Sequence, residues 1–291
     1  MVDIRQTQSY AKYLESLGWT VERIGEINYF IKKIPVLGSL LKIQRPEEIR
    51  MDTIKKLCRK YGVFQIIIEP SLSSYVGSFK DCHRLMLAYG FKLSKPYLPS
   101  KTLQIDLTQA REQILRNFKK DARQAIKKGE SAYIKEYVTP DEIKIFREGW
   151  KNSVKFDRYV PSTEKLIKLK KSFPQSHSLF LASHNISGRI IGGVIFTTSS
   201  HERSNYISYY WHAFTNMEGR STLSQYTLLW NGILWAKKNG YKIFDFEGIF
   251  DPRFPDKNWK GFTHFKRSFG GEEVIYPGCY TKLRFPLLDK G

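Results

Sequence analysis

Residues 244–271 read FDFEGIFDPRFPDKNWKGFTHFKRSFGG. The stretch opens as a strand that runs into Asp245, Glu247 and Gly248. A loop follows, punctuated by Pro252 and Pro255, whose fixed φ suits turns better than regular elements. From Asn258 to Ser268, Phe262, Phe265, Lys266 and Phe269 recur at the spacing of one or two helical turns, and Gly270–Gly271 end the helix. Acidic residues at a strand end, a loop and a basic, aromatic helix are the parts of a polar cleft. By pattern alone they read more readily as a strand–loop–helix corner of a core, with lysines on its surface.

Outward from this stretch the chain alternates helix and strand, the pattern of an α/β protein. Residues 7–17 predict a helix with Tyr10, Tyr13, Leu14 and Leu17 on one face, ended by Gly18; short strands follow over 19–24, 28–34 and 39–44. Pro46, Glu47 and Glu48 carry the signals of a helix start for 46–61. FQIIIEP (64–70) is a continuous apolar run, hence a buried strand of the parallel type, and 77–89 is a helix ended by Gly90. LSKPYLPSK (93–101) has two prolines and no periodicity, so the domain boundary is placed there. The second unit reads as a strand at 102–107, then a helix at 109–127 capped by Thr108. Strands follow near 132–137, 178–183, 189–197 and 205–213, with helices at 140–152, 163–172 and 220–238. The predicted organisation is 1–100 with a returning C-terminal strand (about 279–291) as one domain, and 101–278 as the other.

With 291 residues, 41% hydrophobic and 14% aromatic, the chain can build two cores of ordinary size. It has no long apolar run and no basic-then-apolar start, so neither a transmembrane helix nor a signal peptide is expected, which points to the cytoplasm. Cys58, Cys82 and Cys279 are scattered and the six histidines lack ligand spacing, so no metal and no disulfide framework is expected. Lys plus Arg number 48 against 28 Asp plus Glu, a formal charge of +20. Such a balance favours polyanions: RNA, diphosphates or peripheral contact with an anionic membrane. Arg116, Lys119, Lys120, Arg123 and Lys127 fall on one face of the predicted helix, with only Asp121 inside the run, as an RNA or other polyanion surface would. A solvated basic face is the plainer alternative.

D-F-x-G-[IVL], a short loop, then G-x-x-x-F-K-x-x-F-G-G resembles the C-terminal signature of the FemABX family, the aminoacyltransferases that build peptidoglycan cross-bridges from aminoacyl-tRNA. Asp245, Gly248, Gly261, Phe265, Lys266, Phe269, Gly270 and Gly271 carry it. The run at 115–130 also resembles a family segment, with Ala125 off its usual place, and the likeness extends over roughly 4–285. It implies two GNAT-like acyl-N-acyltransferase domains side by side, with mixed sheets flanked by helices. The strand near 279–285 would cross back to the first domain. The long helical hairpin of some relatives is missing.

The resemblance also implies roles. Lys266, with Phe265 beside it, would act at the acyl-tRNA end by steadying a developing oxyanion. Glu69, before Pro70, matches a substrate-contacting Asp. Arg158 matches an arginine that grips the precursor's diphosphate, though the family's tyrosine four residues later is absent. His212 matches a tyrosine near the substrate. Lys12 stands for a phosphate-binding lysine, although strict register puts Leu14 there. The implied donor and co-substrate is aminoacyl-tRNA, with no cofactor, and the acceptor is an amine of a UDP-linked or lipid-linked muropeptide precursor. Two other readings stand: an acyl-CoA-dependent N-acyltransferase, for which Gly219 alone is a poor phosphate turn, and a nonenzymatic RNA-binding protein.

Overall fold

The computed structural model describes residues 2–71, 79–129, 132–156, 158–174, 176–199, 206–256 and 259–284. The chain divides into two compact units: Met1–Lys101 with Phe250–Asp256 and Val274–Gly291, and Thr102–Ile249 with Lys257–Glu273. The first unit therefore takes, besides its returning strand, the proline loop from the middle of the opening stretch. Within that unit Asp251 accepts the Ser100 hydroxyl at 2.6 Å, and Arg253 donates to the Ser100 carbonyl at 3.1 Å.

The first unit runs α1 (Gln8–Ser16), β1 (Thr20–Ile24), β2 (Ile27–Ile34), β3 (Gly38–Gln44), α2 (Met51–Tyr61), β4 (Val63–Glu69), α3 (Phe79–Ala88) and β5 (Lys92–Ser94). Thr7 caps α1 by accepting the Tyr10 N–H. Strands β1, β2 and β3 are antiparallel, and β3 pairs with β4 in parallel across α2. Tyr29, Leu41, Ile54, Ile66, Ile68 and Met86 pack the core between sheet and helices. The helix expected from Pro46 starts only at Met51. Arg45, in the left-handed region at φ 54, turns the chain, and the Pro46 carbonyl accepts the Ser71 hydroxyl instead of entering a helical ladder.

The second unit runs β6 (Lys101–Asp106), α4 (Arg111–Arg116), α5 (Lys120–Lys128), β7 (Tyr133–Glu136), α6 (Pro140–Ser153), α7 (Thr163–Ser172), β8 (Ser178–His184), β9 (Ile190–Thr198), β10 (Ile207–Thr215), α8 (Met217–Ser221), α9 (Ser224–Lys238), β11 (Ile243–Asp245), α10 (Trp259–Arg267) and β12 (Glu272–Ile275). The sheet order is β12-β6-β11-β10-β9-β8-β7. Strands β7 to β10 form an antiparallel meander, and β10 pairs with β11 in parallel across α9. Every residue of β9 is buried, as a strand covered on both faces must be. The chain then enters the first unit as β13 (Cys279–Leu283), which lies between β4 and β5 and is antiparallel to both.

Two predicted helices are broken. The one expected over 220–238 is α8 and α9, separated where Leu223 adopts φ 57. The one expected over 109–127 is α4 and α5. Phe118, between them, is buried edge-on against Trp230 and Phe269, and the Lys119 N–H leaves the helix to donate to the Ser268 carbonyl. An aromatic anchor and one stolen hydrogen bond outweigh good helix propensity here.

Candidate active site

Helix α10 is amphipathic, and the side chain of Lys266 is on its inner face. Lys266 is only 7% exposed, unusual for a lysine. Its Nζ donates to the Phe246 carbonyl at 2.8 Å and to the Gly248 carbonyl at 2.6 Å. The ammonium also sits 5.6 Å from the ring centres of both Tyr210 and Trp259, within cation–π range. An ammonium has three N–H groups. Two are taken, and no described residue accepts the third.

Burial pulls the Lys266 pKa down to about 8, against the opposing influence of the Glu247 and Asp245 carboxylates. The ammonium is thus charged below about pH 8 and neutral above. Asp245 moves the other way: burial first, and then Glu247, raise it to about 6. Its Oδ1 accepts the Thr102 hydroxyl at 2.6 Å and the Glu247 N–H at 2.7 Å, and its Oδ2 accepts the Gln104 amide at 2.7 Å.

Phe265, named beside Lys266 from the sequence, packs its ring edge-on against Tyr226 at 4.9 Å and Phe269 at 5.4 Å. It anchors α10, while Tyr210 and Trp259 flank the cation. Trp259 precedes Lys266 by seven residues, two helical turns, so the spacing was there to be read. The two glycines after α10 are demanded by close backbone approach. Gly270 (φ 68) and Gly271 (φ 94) would place a Cβ at 2.6 Å from the Asn117 carbonyl oxygen and 2.4 Å from that of Gln104.

The other nominated residues divide between the units. In the first, Lys12 is exposed on α1, and Glu69 is buried at the end of β4. Glu69 accepts the Tyr97 and Leu98 N–H groups at 2.9 and 2.6 Å and the Gln44 amide at 2.9 Å. Both oxygens of its carboxylate thus have donors inside the fold. In the second unit, Arg158 is exposed between α6 and α7. His212 follows a bulge at Trp211 in β10 and packs against Trp150 at 5.5 Å, and burial lowers it to about 4, so it is neutral at pH 7. A cleft of about 580 Å³ opens along α6, lined by Asp141, Lys144, Glu148, Asn152 and Arg189; Lys266 is not part of its lining.

The single basic face expected at 116–127 is also corrected. The break at Phe118 takes Arg116 and Lys119 off the helix that carries Lys120, Arg123 and Lys127. Arg123 turns back to donate to the Arg116 and Phe118 carbonyls at 3.0 and 2.7 Å, satisfying the open C-terminus of α4. Arg116, Lys119, Lys120 and Lys127 remain exposed.

No family model matches the sequence, and no curated protein does. Among solved structures, FemX superposes with a TM-score of 0.78 at 15% identity, over 97% of this chain and 92% of its own. L-PGS from Bacillus licheniformis gives 0.55 at 12% identity, over 94% of this chain and 86% of that one. A tandem GNAT protein from the clavulanic acid biosynthesis pathway gives 0.52 at 11% identity, over 88% and 82%. The chain has a FemX-like fold, two GNAT-like α/β units in tandem.

Proposed function

We propose that the chain is an aminoacyltransferase that moves an amino acid from aminoacyl-tRNA onto an amine of a peptidoglycan precursor's stem peptide. The observation that carries this reading is the Lys266 ammonium: buried, fixed by two carbonyls, flanked by two rings and retaining one N–H. The acceptor nitrogen attacks the ester carbonyl carbon, and the carbonyl oxygen takes up negative charge. The C–O bond to the tRNA then breaks, the amine proton passes to the departing ribose oxygen, and an amide remains. The donor ester is already activated, so the demand on the protein is positioning and charge stabilisation. A pre-oriented ammonium meets that demand without reorganising as the charge develops. Within this reading Arg116, Lys119, Lys120 and Lys127 meet the tRNA backbone, Arg158 holds the precursor diphosphate, Lys12 supplies a further phosphate contact, and His212 offers a neutral hydrogen bond to the acceptor.

The acyl-CoA alternative loses its one glycine. A Cβ on Gly219 would lie 2.2 Å from the Ile191 carbonyl oxygen, so this glycine is explained by packing of α8 on β9. The test is incubation with labelled aminoacyl-tRNAs, or with acetyl-CoA in a parallel arm, against a panel of muropeptide precursors, with products read by mass. Aminoacylated muropeptide supports the proposal; acetylated product alone defeats it.

A further inference from the structure

Lys266 is held by an unusual piece of backbone. The two carbonyls that it contacts belong to Phe246 and Gly248, which flank Glu247. Glu247 lies in the left-handed region at φ 53 and Gly248 at φ 112. A non-glycine residue there carries local strain, which persists only where neighbours over-determine it. Here the neighbours are Asp245 and Thr102. Asp245 Oδ1 accepts the Glu247 N–H, and the Thr102 hydroxyl donates to that same oxygen while accepting the Gly248 N–H at 3.1 Å. Both N–H groups of the turn are therefore tied to one carboxylate–hydroxyl pair, and both flanking carbonyls face the ammonium. Thr102 is 2% exposed and Asp245 3% exposed, so water does not compete for these bonds.

We infer that Asp245 and Thr102 are positioning residues that hold the 246–248 turn in the conformation that fixes the Lys266 ammonium. The inference rests on the reading of Lys266 as the charge-stabilising group, and it adds residues that the basic, aromatic signature does not explain. Thr102 is 164 positions away in sequence, on the strand that pairs with β11. The titratable groups that face the ammonium are Asp245 and Glu247 on the turn and Tyr210 on β10. The Asp245 charge also favours the protonated form of Lys266, in line with the geometric role.

The test uses the full chain with 15N-labelled lysine and follows the buried Nζ resonance with pH. It compares wild type with Thr102→Val, Thr102→Ser and Asp245→Asn, each checked for a cooperative melt. Lys266→Met identifies the resonance. In wild type the slow-exchanging ammonium titrates near pH 8. In Thr102→Val and Asp245→Asn the protection against exchange falls about tenfold or more, and in Asp245→Asn the titration also moves to lower pH; Thr102→Ser keeps the wild-type behaviour. Two variants at different sites keep the test decisive if one fails to fold. Aminoacyl transfer, run beside it, should drop roughly 10- to 100-fold in Thr102→Val, as misplacement by about an ångström costs, and recover in Thr102→Ser. A Lys266 resonance unchanged in both folded variants overturns the inference. Because the resonance reports position without turnover, loss of the aminoacyl-transfer reading itself would appear only in the activity arm.

Discussion

Glu69 and Lys266 are both buried charges at the ends of regular elements, and both were nominated from the sequence. The structure treats them differently. Glu69 has three donors on its two oxygens, all from its own unit, and so closes the loop at Tyr97–Leu98 onto β4. Among the described residues Lys266 has two acceptors for three N–H groups and no carboxylate bonded to its Nζ, and its pKa is lowered to about 8. Burial of a charge is therefore not itself a sign of chemistry. A satisfied charge builds the fold; an incompletely satisfied one, held against the cost of desolvation, has capacity left for a substrate.

The comparison breaks first if removing Lys266 leaves turnover intact. Lys266→Met should lower kcat for aminoacyl transfer by about 10²–10³-fold, the loss typical of one oxyanion donor, while the protein still melts cooperatively; steady-state assay with calorimetry checks both. Glu69→Ala should do the reverse. It strands two backbone N–H groups and an amide, at a cost of about 3 kcal/mol in urea unfolding, with kcat per folded molecule unchanged. Gly271→Ala sharpens the contrast at α10, since a Cβ 2.4 Å from the Gln104 carbonyl oxygen, at φ 94, should destabilise by about 2 kcal/mol. The smallest effects separate the basic residues. Lys127→Ala should reduce the slope of log K against log salt for tRNA binding by roughly 0.7–0.9. Arg123→Ala should leave that slope alone and cost about 1 kcal/mol of stability, because its guanidinium serves the α4 carbonyls.

The periodicities of the sequence located most elements within a few residues, and the apolar run of β4 announced its parallel pairing with β3. Where sequence reasoning failed, a distant contact had overridden a local preference. Nothing in LRNFKKDARQ announces a break, because the break depends on Trp230, Ser268 and Phe269. Pro46 looked like a helix start because the partner of its carbonyl, Ser71, lies 25 residues on. At the site, Lys266 was legible from the basic, aromatic helix and its resemblance to known signatures. Thr102 was not, since a threonine near the start of a strand is ordinary until its hydroxyl is seen between the Gly248 N–H and the Asp245 carboxylate.

The most direct test of the role assigned to Lys266 is the pH dependence of single-turnover aminoacyl transfer, corrected for spontaneous ester hydrolysis. A lysine that steadies negative charge must be protonated, so the ratio of the wild-type rate to that of Lys266→Met, in which the acceptor amine's own titration cancels, should fall as pH rises through about 8. A ratio that climbs through the same interval would mean that the neutral form of Lys266 is the active one, and would contradict the account.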